Sequence, residues 1–256
     1  MNWIKVYKGE NQIILDDGLF FGRGVFETIA VYKGPIMLKE HINRINSSLK
    51  KLSIDKKIDY REIKNIIKED KIEDKALKII VTSKNNIISL RDITYKEKDY
   101  RKGFSLGLSE VIRSYKGFLT SIKSICYEEN IHIRQEGLEK NFNEMLLMND
   151  KGKITEGTLS NIFFVREEKI YTPKLSCGLL NGIVREWVIN NYDVYEGEFT
   201  FKDLLLSEEI FITNSLIGVM WINRLEDVKF LKGKITNNVM KRYKTFLEEN
   251  GGYIND

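Results

Sequence analysis

The sequence predicts a mixed α/β fold in two domains, and three observations carry that prediction. Over the first 113 residues, segments with strand patterning alternate with segments of helical patterning. From Leu146 to Val165, two apolar runs flank the turn Asn149-Asp150-Lys151-Gly152, which reads as a β-hairpin. Between these regions residues 114–117 form a short linker, so the chain divides into a smaller domain, 1–113, and a larger one, 118–256.

The elements follow in order. Residues 2–7 alternate as a strand, and Asp16-Asp17-Gly18 reads as a turn. Phe20 to Val31, FFGRGVFETIAV, places two glycines around Arg23 and then a strand through Phe26, Thr28 and Ala30. Gly22-x-Gly24 is no dinucleotide fingerprint, because Glu27 stands where the third glycine belongs and a strand follows instead of a helix. Leu38 to Leu52 has apolar residues at 38, 42, 45, 49 and 52, the spacing of a helix, with Arg44 beside Ile45. Residues 60–70 form a short charged helix. Leu77 to Ser83 and Ile87 to Arg91 are strands around the turn Asn85-Asn86, and Phe104 to Ile112 is another. Asn181-Gly182 closes a turn before a helix from Ile183 to Tyr192. Glu209 to Thr213 is a strand, and Asn237 to Glu249 is the last helix.

Composition excludes several functions. The net charge of +4 is a small difference between 41 basic and 37 acidic residues, with no clustered footprint for nucleic acid. It mildly favours a small anionic substrate. No apolar run approaches a membrane span, and residues 1–12 hold no signal core. Cys126 and Cys177 are far apart and form no CxxC, so reduced thiols of a cytosolic protein are expected. His41 and His132 are the only histidines and lack ligand spacing, so no metal site is expected.

Two residues stand out chemically. Glu156 lies between strand segments that look buried. A buried carboxylate is costly unless a cation meets it, and that cation is either a nearby Lys or Arg or a ligand. Gly157 beside it permits close approach by a ligand or another backbone. Gly117 to Tyr127, GFLTSIKSICY, holds a single charged residue, Lys123, among Ile122, Ile125 and Cys126. A lysine desolvated in apolar surroundings becomes a neutral amine able to act as a nucleophile. Gly182, at the start of a helix, opens backbone N–H groups and the positive end of the dipole to an anion.

The run TEGTLSNIFFV, followed by Tyr171-Thr172-Pro173, Gly178-Leu179-Leu180-Asn181-Gly182-Ile183 and Arg185, resembles the fold-type IV pyridoxal-phosphate enzymes. That family includes aminodeoxychorismate lyase and the branched-chain and D-amino acid aminotransferases. The resemblance covers nearly the whole chain. It implies a smaller N-terminal α/β domain, a larger C-terminal domain, pyridoxal 5′-phosphate held between them, and a homodimer. It implies that Lys123 carries the covalent link to the cofactor and that Glu156 faces the pyridine nitrogen. Arg44, Ser215 and the amides of Ile183 and Val184 would hold the phosphate, with Ser160 and Asn161 in the same cofactor-binding motif. Phe26, Leu216 and Ile217 would border the substrate. Arg91 either meets a substrate carboxylate or serves the surface, and Thr28 either assists elimination or is an ordinary strand residue. The chain departs from the family pattern at Arg23, where aspartate is usual, and at Cys126 and Asn143.

Three features favour the lyase reaction, release of pyruvate from aminodeoxychorismate, over amino transfer. The chain is short for the family's aminotransferases. Thr82 to Asp92, TSKNNIISLRD, lacks the paired Arg and His of D-amino acid transaminases. Thr28 matches a threonine of the lyases.

Overall fold

The computed structural model describes residues 3–8 and 12–250. They form two compact units. One comprises the described residues of Met1–Thr94, Ile122–Tyr127 and Thr245–Asp256, and the other Tyr95–Ser121 and Glu128–Lys244.

The first unit holds a four-stranded sheet of β1 (Ile4–Lys5), β2 (Gly24–Val31), β3 (Lys75–Thr82) and β4 (Asn86–Asp92), in the order β1-β4-β3-β2. Helices α1 (Asp17–Phe21), α2 (Leu38–Lys51) and α3 (Tyr60–Glu69) accompany it. Strand alternation separates its two faces. Val25, Ile29 and Val31 of β2 and Leu77, Ile79 and Val81 of β3 enter one core with Ile42, Ile45 and Leu49 of α2 and Ile63, Ile66 and Ile67 of α3. Phe26, Thr28, Lys78 and Ser89 therefore share the opposite face, where the register sets Thr28 beside Lys78 and Lys78 beside Ser89.

β2 ends the sheet, and its outer edge does not stay bare. The Phe26 N–H donates to the Lys123 carbonyl at 2.9 Å, and the Ile125 N–H donates to the Gly24 carbonyl at 3.1 Å. Residues 122–127 thus belong to the first unit. Conversely, Phe104–Arg113 belongs to the second, because it pairs with strands there. The units divide differently from the expected 1–113 and 118–256.

The second unit contains α4 (Glu97–Lys102), β5 (Phe104–Arg113), α5 (Glu128–Glu139), β6 (Glu144–Asn149), β7 (Ile154–Gly157), β8 (Asn161–Arg166) and β9 (Lys169–Pro173). It continues with α6 (Ile183–Asn191), β10 (Val194–Gly197), α7 (Phe201–Leu205), β11 (Glu209–Asn214), β12 (Gly218–Leu225), β13 (Val228–Lys229) and α8 (Lys234–Glu249), whose last turns fall in the first unit. Its sheet runs β10-β9-β8-β11-β12-β5-β6-β7, with β13 on β12. No helix among the described residues is long and apolar enough to cross a membrane.

The stretch 146–165 is not one hairpin. β6 and β7 do pair antiparallel, with Leu146 opposite Gly157, but β8 leaves to pair with β11 and β9. The cause is Glu144, a buried carboxylate that gathers the chain at the break. It accepts from the Thr158 N–H at 3.0 Å, the Leu159 N–H at 3.2 Å, the Ser160 hydroxyl at 2.9 Å and the Thr158 hydroxyl. Gly157 is required by this turn itself, since a Cβ there would lie 2.5 Å from Ser160 Oγ.

At the N-terminal end, residues 2–7 are a strand only over Ile4–Lys5, with a 3₁₀ turn over Val6–Lys8; residue 2 lies outside the described residues. Asp16 begins a helix instead of a simple turn. Its carboxylate accepts from the Gly18 and Leu19 N–H groups and, across the sheet end, from Thr82 Oγ1 at 2.5 Å and the Lys84 N–H at 2.8 Å. Burial raises this carboxyl, yet the Thr82, Lys84, Ser83 and Leu19 bonds outweigh burial and hold it at about 2, below the ordinary 3.8. A depressed carboxyl stabilises above its unfolded value, so its contribution is complete above pH 3.8 and is lost as pH falls toward 2. Asp16→Ala is expected to destabilise the protein by about 1–3 kcal/mol at pH 7, from the lost cap and the stranded donors. Urea denaturation should show that deficit at pH 7 and a much smaller one near pH 2.

Candidate functional site

The residues singled out by sequence fall into two groups, one in each unit. In the first unit, Lys123 is half-buried, and its segment is fixed by the two backbone bonds to β2. Its Nζ lies 4.4 Å from the centre of the Phe26 ring and 5.4 Å from that of Tyr127. Those rings meet edge to face at 5.2 Å. The amine therefore sits against two aromatic surfaces. Gly22, in the left-handed conformation at φ 68°, packs against exposed Cys126 in the same region. Arg23, the departure from the family pattern, donates to the Leu52 carbonyl at 3.0 Å and reaches Asp17 at 3.2 Å; its role is to tie α1 to the end of α2.

The core face of β2 carries a group that sequence reasoning missed. Glu27 is fully buried, and both its oxygens are engaged. Arg44 Nε donates to Oε1 at 2.6 Å and Nη2 to Oε2 at 2.8 Å, while His41 Nδ1 lies 2.7 Å from Oε2. Burial by itself raises the Glu27 carboxyl, but Arg44 and then His41 overcome it and hold the group well below the carboxylate range. Burial pushes His41 below 6.5, against the pull of Glu27, which leaves a neutral imidazole at pH 7. The signal was present in the alternation: Glu27 takes a place between Val25 and Ile29, where an acid must find a cation.

On the opposite face, Lys78 was also missed. Its Nζ rests 4.7 Å from the same Phe26 ring that Lys123 contacts. Burial lowers its ammonium below 10.5, and Arg91 on β4 lowers it further. Among the described residues, neither Lys78 nor Arg91 has a carboxylate partner. Thr28 lies beside Lys78 in the ladder.

In the second unit, Glu156 is buried on β7. Its Oε2 accepts from Asn161 Nδ2 and from the Leu180 N–H, each at 3.2 Å, and its Oε1 lies 3.5 Å from Arg113 Nη1. Arg113 ends β5; it also approaches Glu129 at 3.3 Å and bonds Asn130. Asn161 Nδ2 donates further to the Leu180 carbonyl at 2.8 Å, so carboxylate, amide and the chain leading to α6 are joined. Gly182 caps α6, and a Cβ there would sit 1.9 Å from Asn161 Oδ1. The first turn leaves the Ile183 and Val184 N–H groups outside the intrahelical ladder. Ser160 gives its hydroxyl to Glu144. Ser215 lies in the turn after β11, where Asn214 Oδ1 takes the Leu216 N–H at 3.0 Å and the Ile217 N–H at 2.8 Å. Those two amides are therefore committed to shaping the turn. The Thr213 hydroxyl, opposite Asn161 in the ladder, is buried and has no partner among the described residues.

In the second unit a buried carboxylate, a helix start and an unsatisfied hydroxyl suit a pyridine nitrogen and a phosphate, and in the first unit a half-buried amine suits an aldehyde. Removing Arg113 tests the carboxylate group directly. Arg113→Met should destabilise the protein by about 1–3 kcal/mol, because it takes a cation from beside a buried acid. Adding Glu156→Gln should return part of that loss; a double variant as unstable as the two singles summed would show that the residues do not interact.

The family model of amino-transferase class IV matches residues 24–225. The chain is 27% identical to the aminodeoxychorismate lyase of Bacillus subtilis (strain 168), over 96% of this chain and 95% of that protein. It is 29% identical to the D-alanine aminotransferase of Bacillus licheniformis, over 88% of each. The solved 4-amino-4-deoxychorismate lyase of Pseudomonas aeruginosa shares the fold, with a TM-score of 0.83 at 20% identity over 94% of this chain and 97% of that one. The chain belongs to the class IV aminotransferase family, whose members are pyridoxal-phosphate-dependent enzymes.

Proposed function

We propose that the protein is a pyridoxal-phosphate-dependent lyase that eliminates pyruvate from 4-amino-4-deoxychorismate and leaves p-aminobenzoate, a building block of folate. The observation that carries this reading is the outer face of the first unit's sheet. Two cations without a carboxylate partner among the described residues, Lys78 and Arg91, share that face with Thr28, and Lys78 rests on the Phe26 ring that Lys123 also touches. Aminodeoxychorismate brings two carboxylates, which such a face would receive.

The roles follow from residue chemistry. Lys123 would hold the cofactor covalently through Nζ. Glu156 would keep a proton on the ring nitrogen, Arg44, Ser215 and the Ile183 and Val184 amides would take the phosphate, and Asn161 and Ser160 would fix the loop that presents Glu156. When bound, the cofactor supplies an electron sink for the carbon bearing the substrate's amine. The Lys123 amine would take the proton from the same carbon. The bond from the neighbouring carbon to the enolpyruvyl oxygen would then break with help from the Thr28 hydroxyl, the released enolate would take up a proton to become pyruvate, and the substrate ring would become aromatic.

The likeness to a D-alanine aminotransferase favours a second reading, transfer of amino groups from branched-chain or D-amino acids. One assay separates the two. The protein supplied with pyridoxal phosphate should release pyruvate and p-aminobenzoate from aminodeoxychorismate without a keto acid; transfer to a keto acid with no elimination would select the aminotransferase. Lys123→Ala should abolish either reaction. Lys78→Met should raise the KM for aminodeoxychorismate about ten- to a hundredfold, the value of a lost charge-assisted bond, and lower kcat less.

We also infer a homodimer. Ile13, Ile14, Leu15, Leu19, Phe20 and Phe21 are exposed together on the first unit, an apolar strip that calls for cover. Sedimentation should give twice the chain mass, and Phe20→Glu with Phe21→Glu should shift it toward the monomer.

A further inference from the structure

We propose that Glu27 is a positioning residue for phosphate recognition: it acts through Arg44, aiming the guanidinium, and never touches the ligand itself. The proposal rests on the reading of Arg44 as a phosphate anchor and adds the residue that makes the anchor directional.

The geometry argues for this role. The Glu27 side chain is 1% exposed, whereas that of Arg44 is 14% exposed, so the carboxylate is sealed behind the guanidinium. The pair is side-on: Nε and Nη2 face the two carboxylate oxygens at 2.6 and 2.8 Å. Because a guanidinium is planar, that engagement leaves only one direction for its remaining edge, away from Glu27. An arginine held by a flexible surface acid would sweep a cone; this one is locked at its base. His41 Nδ1, at 2.7 Å from Oε2, in turn fixes the carboxylate plane.

The strand that carries Glu27 also sets the lysine. Phe26, the preceding residue, donates its N–H to the Lys123 carbonyl, and Gly24 accepts from Ile125. A single strand thereby fixes the amine segment by its backbone and the guanidinium by a side chain. A ligand gripped at both points must carry its carbonyl and its phosphate a set reach apart, as substituents on neighbouring carbons of one rigid ring do. A purely structural ion pair would do its work without any preference for phosphate. Replacing such a pair by apolar residues is often neutral, so stability alone does not identify its purpose.

The test compares equilibrium binding of pyridoxal 5′-phosphate with that of pyridoxal, which lacks only the phosphate, by absorbance titration of the purified protein. The measured quantity is the ratio of the two dissociation constants. Arg44→Met should collapse the preference for the phosphorylated form. Glu27→Gln keeps the shape of the side chain and removes its charge; it should reduce the preference at least tenfold and leave pyridoxal affinity unchanged. Glu27→Gln combined with Arg44→Met should match Arg44→Met alone. Glu27→Asp, which keeps the charge on a shorter arm, should reduce the preference less, and serves as the test if the Gln variant does not fold. If Arg44→Met leaves the ratio intact, the phosphate reading of Arg44 fails and the proposal falls with it. If Arg44→Met lowers the ratio while the Glu27 variants do not, or if they weaken both ligands equally, Glu27 is structural and the proposal alone is overturned.

Discussion

A carboxylate taken out of water must be met by donors that stay where they are, and Glu27, Glu144 and Glu156 each impose that condition on this chain. Glu144 draws the Thr158, Leu159 and Ser160 donors to itself and so breaks one apolar stretch into two strands of different partners. Glu156 takes Asn161 and the Leu180 amide, which ties the end of that break to the approach of α6. Glu27 binds the Arg44 fork and His41. Each turns the cost of a buried charge into a fixed direction for some other group. Loop residues gain the precision of a sheet, as a site for chemistry requires.

β2 shows how economical this is. Its core-facing residues Val25, Ile29 and Val31 join the hydrophobic cluster, and Glu27 intrudes among them with its own cations. Its other face presents Phe26 and Thr28. Its outer edge holds residues 122–127 by backbone bonds, so the edge is covered and the lysine segment is anchored together. Cation fork and amine segment each answer to a different feature of one eight-residue strand, and neither depends on a flexible tether.

Much of this was legible from residue order, and the remainder was hidden for definite reasons. Helix α2 and strands β3 and β4 follow from periodicity, because their apolar faces meet a single core. The isolated position of Lys123 among apolar residues marked it, and the structure places its amine against two rings. The hairpin at 146–165 misled because the break is set by Glu144, a side chain at the near end of β6 that pattern alone does not connect to Thr158. Arg113 carried no signal in sequence beyond following a strand, while its guanidinium reaches Glu156 from a neighbouring part of the sheet. Glu27 registered in sequence only as the residue that spoils a glycine fingerprint. Alternation against Val25 and Ile29 would have exposed it as a charge on a core face. Lys78 needed the register of three strands before its neighbours were known.

The choice between elimination and amino transfer turns on what the substrate must present besides its amine. Both reactions need a proton removed from one carbon; elimination also needs a particular bond on the next carbon aligned with the electrons released. An aliphatic amino acid with one carboxylate can rotate about its anchor, whereas a ring fixed at two carboxylates cannot. Lys78 and Arg91 stand on adjacent strands, not on loops, so their separation is set by the sheet. Burial and Arg91 both work against the Lys78 ammonium, and an arriving anion relieves each of them. A desolvated cation also attracts more strongly than one in water. In the proposed lyase, the repulsion built into this face would be the source of its grip on a dianion, with Thr28 set beside Lys78 in the ladder.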